Sequence, residues 1–211
     1  MDYTHSALLA VGLFALTFMS PGPNLLVVVQ ASLANGRRAG IATGMGVAAG
    51  DAIYAALGLF GMAAAVAQGG LLFSLIKTAG GAYLIWYAFG LMRGRAQVDL
   101  EVTGAAAPAR SFAQCFRRGL LTDLANPQTA LFFASIFSIT LDAHTPLSAR
   151  ALTWSGIVAA SLLWRVGLSH AFSIAPVRRG YARAQGVMER LVGVALGLFG
   201  AKLVYEGLRA H

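Results

Sequence analysis

Charged residues are scarce in this chain. Only 11% of its 211 residues are Asp, Glu, Lys or Arg, whereas 57% are hydrophobic, and the mean hydropathy is +0.68. A soluble domain contains roughly 25% charged and 45–50% apolar residues. The shortage of charge therefore predicts a protein whose solvent is the lipid bilayer. Cysteine is nearly absent as well, and the lone Cys115 excludes an internal disulfide framework.

Acidic residues are rarer than basic ones: the chain has eight Asp and Glu against sixteen Lys and Arg, and its net charge is +8. Because the arginines cluster in short segments between apolar runs, they indicate membrane topology, and we expect no nucleic-acid partner. The chain also lacks a phosphate-binding Gly-Lys-Ser/Thr loop and a metal-ligand spacing of histidines. We therefore expect no cofactor and no metal, and an ion gradient or a partner protein as energy source.

Long hydrophilic stretches are missing except for 93–111, which we interpret as a linker. Elsewhere the chain contains six apolar runs, each long enough for the roughly 20 residues that a membrane-spanning helix needs. The runs are Ser6–Leu33, Ile41–Ala67, Gly70–Met92, Phe112–Leu141, Ala151–Ala175 and Val187–Leu208. The sequence thus predicts an all-α polytopic membrane protein with two three-span halves, 1–92 and 112–211.

The basic residues predict the orientation of these spans. Eleven of the sixteen fall in the connections between spans one and two, three and four, and five and six. Because Lys and Arg are enriched in cytoplasmic loops, we expect the 93–111 linker in the cytoplasm and both termini outside. Since each half has an odd number of spans, related halves would lie upside down to one another, as an inverted repeat.

Helix-breaking residues interrupt the first and fourth runs at corresponding places. The first contains Pro21, Gly22, Pro23 and Asn24, and the fourth contains Asn126 and Pro127. Proline frees backbone groups that hydrocarbon cannot satisfy, so such a break survives beside a wet cavity or under covering protein. In transporters with inverted repeats, paired breaks mark a substrate site near the midplane. A packed proline kink capped by Asn24 and Asn126 is the alternative.

Three charged residues lie inside the predicted spans. Asp51, Asp123 and Arg165 are each about ten residues from a cytoplasmic end, on the order of 15 Å deep. An ion at that depth needs a partner or a water-filled pathway. We expect Arg165 to pair with Asp123, which leaves Asp51 to exchange protons. Two alternatives remain: that Asp51 is the partner and Asp123 titrates, or that the pair only holds helices together.

Glycines recur at small-residue spacing in spans two and six. They are Gly40, Gly44, Gly46, Gly50, Gly193 and Gly197. This spacing favours close helix approach within the chain, and a homo-oligomer seam is the alternative.

Four segments resemble the LysE/RhtB family of amino-acid exporters, in particular its threonine and homoserine efflux branch. They are "MSPGPN", "AGGAYLIWYAFGLMRG", "GLLTDLANPQTALFF" and "MERLVGVALGLFGAKL". The resemblance implies a carrier of the bacterial inner membrane that uses the proton motive force. The positions it implies are Pro21, Gly22, Pro23, Asn24, Gly50, Asp51, Asn126 and Pro127. The chain departs from the family pattern at Asp123, Gln128 and Arg165, where the pattern has asparagine, lysine and an aromatic or apolar residue.

We therefore expect a proton-coupled exporter of small amino acids or their derivatives, of threonine or homoserine type, and not an enzyme. The substrate carboxylate is expected at the half-helix N–H groups and the ammonium at Asp51 or Asp123. An integral membrane enzyme acting on a lipid or peptide, and a passive small-solute channel, are the alternatives.

Overall fold

The computed structural model describes residues 3–18, 22–61, 71–93, 110–140, 145–172 and 174–209. These ranges form eight α-helices and one π-helical turn and contain no β-strand, which confirms the all-α class. In chain order they are α1 (Tyr3–Thr17), α2 (Pro23–Asn35), α3 (Arg37–Ala56), the π turn (Leu57–Gly61), α4 (Leu71–Met92), α5 (Phe112–Leu124), α6 (Pro127–Thr140), α7 (Leu147–Ala171) and α8 (Ala175–Arg209).

The first apolar run is two helices. Helix α1 ends at Thr17, whose hydroxyl donates to the Phe14 carbonyl at 2.5 Å. Helix α2 begins at Pro23, with Gly22 as an extended N-cap residue that provides no side-chain cap. Proline suits the first helical position because the N–H it lacks has no partner there. Pro21 lies outside the described residues.

The fourth run is divided in the same way. Helix α5 ends at Leu124 and α6 begins at Pro127, so proline again occupies the first helical position. Asn126 caps the new helix: its side-chain oxygen accepts a hydrogen bond from the Gln128 N–H at 3.0 Å. Asn24, in contrast, caps nothing and hydrogen-bonds to other helices. Both sequence breaks are therefore helix boundaries.

Helix lengths and exposed apolar side chains fit a membrane protein. Within the described residues, three helices are long and apolar enough to cross a bilayer alone: Arg37–Gly61, Leu147–Ala171 and Gly186–Arg209. Helix α1 has 15 residues, or about 22 Å at 1.5 Å each, which falls short of a roughly 30 Å hydrocarbon core. Large apolar side chains cover the outside, and Leu163 is 75% exposed. Such a surface is stable in lipid.

The last helix is longer than the sequence predicts. We expected a span from Val187 preceded by a basic loop, but α8 begins at Ala175 and includes that loop. The basic segment contains good helix formers, and its only proline, Pro176, lies in the first turn, where proline is tolerated. The arginines of this segment therefore do not mark the end of the helix.

Glycines allow three pairs of helices to approach closely. Helices α3 and α5 meet at Gly46 and Gly119, and α4 and α8 meet at Gly81 and Gly200. Helix α7 crosses α3 at Gly44, where an added Cβ would lie 2.8 Å from the Arg165 Cβ. The predicted small-residue faces therefore pack inside the chain, and they bring α3 into contact with both α5 and α7.

Candidate functional site

A cavity lies where the two helix breaks meet. Its volume is about 40 Å³, enough for a few water molecules. The first break contributes Gly22 and Asn24 to its wall, and the second contributes Asn126 and Gln128. The paired breaks thus line one space, although they are separated by about a hundred residues of chain.

Two opposite charges line the same cavity, Asp51 from α3 and Arg165 from α7. Both are buried, at 1% and 6% exposure. One Asp51 oxygen, Oδ2, lies 3.6 Å from Arg165 Nη2 and accepts a hydrogen bond from the Ser161 hydroxyl at 2.6 Å. Ser161 and Arg165 are one turn apart on α7, so they share a helix face. The site therefore contains a buried ion pair with a hydroxyl at the acid.

The expected pairing of Arg165 with Asp123 is wrong, because Arg165 pairs with Asp51. Depth alone suggested three neighbours, but adjacent residues on a helix point about 100° apart. Gly50 faces α5, where an added Cβ would lie 2.8 Å from the Asp123 Cβ. Asp51, one residue later, is turned toward α7. Because of this rotation of α3, Asp51 contacts Arg165 on α7, whereas Asp123 on α5 lies against Gly50.

Asp123 belongs to a separate polar group that joins the two breaks. Its Oδ1 accepts hydrogen bonds from Asn24 Nδ2 at 2.5 Å and from the Thr129 hydroxyl at 3.1 Å. Asn24 Nδ2 also lies 3.2 Å from Thr129 Oγ1. The first residues of α2 and α6 are thereby attached to the last turn of α5. A change in the charge of Asp123 would therefore alter its hydrogen bonds to both α2 and α6.

Several buried polar atoms of the site have no hydrogen-bond partner among the residues that the structure describes. They are Asn24 Oδ1, Asp123 Oδ2 and Arg165 Nε. Burying such atoms without a partner costs about 1–3 kcal/mol each, and unpaired buried groups are uncommon in proteins. Two of these residues, Asn24 and Arg165, line the cavity, so it contains polar atoms that can bind a ligand.

Phenylalanine side chains form an apolar part of the cavity lining, which we call the aromatic wall. Phe14 packs edge-on against Phe18 at 4.9 Å between ring centroids and lies 5.3 Å from Phe133. Phe18 stacks on Trp164 at 5.5 Å, and the Arg165 guanidinium lies 5.7 Å from the Phe18 centroid. The cavity thus combines charged and polar groups with an apolar wall, as small-molecule sites do.

Sequence reasoning did not find all of these residues. It missed Thr129, Ser161 and the phenylalanines. Thr129 lies two residues after Pro127, and Ser161 lies four before Arg165. A search of the helix faces next to the break and the charge would have found both. The aromatic wall gave no signal, because phenylalanines are ordinary in any apolar helix.

Residues 15–207 match the family described as LysE type translocator. The chain is 54% identical over 210 residues to YahN, an uncharacterized membrane protein of Escherichia coli strain K12, and the match covers 99% of this chain and 93% of YahN. It is 30% identical over 189 residues to the threonine efflux protein of the same strain, covering 88% of this chain and 91% of that protein. No solved structure matches.

The chain therefore belongs to the LysE family of translocators. It is a membrane transporter, as the resemblance of its motifs predicted.

Proposed function

We propose that this chain exports small amino acids or close derivatives, of threonine or homoserine type, across the bacterial inner membrane. The observation that carries the proposal is the cavity between the two helix breaks, lined by Asp51 and Arg165. A zwitterion carries one charge of each sign, and the cavity offers a complementary charge for each. The threonine efflux protein among the relatives supports the same substrate class.

Two half-sites suit the two ends of an amino acid. The first turn of α2 has no side-chain cap at Gly22, so its N–H groups and the positive end of its dipole suit a carboxylate. The Gln128 N–H of α6, in contrast, already donates to Asn126. Asp51 suits an ammonium, since it lines the cavity with its carboxylate. Substrate entry would widen the cavity. That widening would separate α2 from α5, which the hydrogen bond between Asn24 and Asp123 joins.

Counterflow in liposomes that contain the purified protein tests the transport class. Vesicles loaded with unlabelled threonine, homoserine, leucine or lysine are diluted into a trace of the same amino acid with label. A carrier concentrates label transiently and saturably, most strongly for threonine or homoserine. Label that equilibrates without saturation would indicate a channel, and chemical conversion of a lipid or peptide would indicate an enzyme.

Proton coupling is assigned to Asp123. Asp51 already has Arg165 beside it, whereas the hydrogen bonds that Asp123 accepts come from the neutral side chains of Asn24 and Thr129, and its Oδ2 has no partner among the described residues. A carboxylate without a cation beside it can exchange a proton without breaking an ion pair. Gain and loss of that proton would change the hydrogen bonds to Asn24 and Thr129. These changes would favour different positions of α2 and α6.

We expect Asp123→Asn to keep threonine counterflow within about twofold and to abolish accumulation driven by an imposed proton gradient. The amide preserves an acceptor for Asn24 but cannot titrate. Ser155→Ala on the exposed face of α7 provides a control with both activities intact. Gradient-driven accumulation that survives Asp123→Asn would assign the proton to another group.

Membrane topology supplies a separate test of the six-span arrangement. With most basic residues expected on the cytoplasmic side, an alkaline phosphatase fusion at His211 should be active and one within 93–111 inactive. A cytoplasmic green fluorescent reporter at the same two points should give the opposite pattern. Both points on one side of the membrane would contradict the six-span model and the inverted repeat.

A further inference from the structure

The ion pair between Asp51 and Arg165 is incomplete. Arg165 Nη2 lies 3.6 Å from Asp51 Oδ2, whereas a charge-assisted hydrogen bond between such groups is about 2.7–2.9 Å long. The close partner of that oxygen is the Ser161 hydroxyl, at 2.6 Å. Arg165 Nε, on the same guanidinium, is buried and has no hydrogen-bond partner within the described part of the chain. The arginine is thus near its acid without being saturated by it.

A pair that served only to hold α3 and α7 together would be expected to close. A guanidinium has five N–H donors in a planar fork and commonly binds a carboxylate through two parallel bonds. Here Arg165, which is 6% exposed, keeps Nε without a partner among the described residues and lines a cavity. Its Cζ lies 5.7 Å from the centroid of the Phe18 ring, which restricts its orientation. These are the properties of a group arranged to bind a ligand.

We propose that Arg165 and Asp51 together receive the two charged groups of the substrate, with its ammonium on the Asp51 carboxylate and its carboxylate on the Arg165 guanidinium, in addition to the N–H groups at the start of α2. This inference rests on the proposed function and restricts it. The substrate class is the free α-amino acid: derivatives that lack either charge are excluded. When the substrate binds, its carboxylate compensates the charge of Arg165 and its ammonium compensates that of Asp51. Neither residue is therefore left as an uncompensated charge in the membrane when the contact between them weakens.

The test compares L-threonine with two analogues that each lack one charged group. L-threoninamide lacks the carboxylate, and 3-hydroxybutyrate lacks the ammonium. Their competition for threonine counterflow and their binding to the purified protein by calorimetry are measured together. For the wild type, both analogues should be at least about tenfold weaker than threonine.

Arg165→Lys preserves the positive charge beside Asp51 but not the fork that binds a carboxylate through two bonds. We expect the half-saturating threonine concentration to rise about tenfold and that for threoninamide to change less than twofold. Arg150→Lys is the matched control, since Arg150 is also on α7, also has a buried Nε without a partner, and lies outside the cavity. It should leave both values unchanged.

The outcomes separate this inference from the proposed function. If Arg165→Lys weakens threonine and threoninamide by the same factor, or neither, the arginine is structural and the inference is wrong, although transport stands. If the wild type binds threonine without counterflow, the transport proposal fails and the calorimetric ratios still decide the role of Arg165. If it binds no amino acid of the counterflow panel, both are wrong.

Discussion

Gly46→Ala and Gly119→Ala should each remove most of the folded protein from the membrane. At Gly46 an added Cβ would overlap the backbone oxygen of Phe116, and at Gly119 it would overlap that of Thr43. Backbone atoms cannot move aside by changing rotamer, so α3 and α5 would have to separate. Overpacking of a close interface costs on the order of 3 kcal/mol, which outweighs the roughly 1 kcal/mol by which alanine favours a helix over glycine.

Gly167→Ala is the matched control, because Gly167 lies within α7 and a Cβ there meets nothing within 4 Å. It should fold as well as the wild type or slightly better. Size-exclusion chromatography of fluorescent fusions and thermal unfolding in detergent measure the three variants together. If Gly46→Ala and Gly167→Ala behave alike, the contact between α3 and α5 is not as close as described.

Removing one member of the Asp51 and Arg165 pair should have the second large effect. Arg165→Leu leaves a buried carboxylate without its cation, and Asp51→Leu leaves the reverse. Breaking a buried pair costs about 3–5 kcal/mol, whereas replacing both partners by apolar groups is often close to neutral. We therefore expect each single variant to reduce folded protein severalfold and the double variant Asp51→Leu with Arg165→Leu to recover it.

Recovery of folding in that double variant should not restore transport, because both charges that we propose receive the substrate are gone. Asp123→Leu with Arg165→Leu is the comparison, and it should fold no better than Arg165→Leu alone. The amount of monodisperse protein and threonine counterflow per molecule are the two measurements. Rescue of Arg165→Leu by Asp123→Leu, and not by Asp51→Leu, would contradict the observed pairing.

Local chemistry made the helix breaks predictable from sequence. Proline at Pro23 and Pro127 fixes where a helix starts, and the preceding Gly22 and Asn126 occupy N-cap positions. The proximity of the charged residues was also predictable, since counting 1.5 Å per residue put them at similar positions along their predicted spans. Composition, which is a property of the whole chain, was sufficient for the all-α membrane class.

The partners of these charged residues were not predictable, because they depend on the rotation of each helix about its axis. Counting residues places Asp51 and Asp123 at one depth but does not show that α3 presents Gly50 to Asp123 and Asp51 to Arg165. That rotation is set by the glycine contacts of α3 with two other helices. The extension of α8 to Ala175 was missed for a different reason, because a basic segment interrupts an apolar run without ending the helix.

Accumulation of labelled threonine by everted membrane vesicles most directly tests whether the chain is a proton-coupled amino-acid exporter. Everted vesicles turn export into uptake, so an imposed gradient, acidic inside, should drive threonine above its external concentration when the chain is present. A protonophore should abolish that accumulation, and vesicles without the chain should show none. Uptake by vesicles with the chain that never exceeds equilibrium, with or without the gradient, would contradict the account.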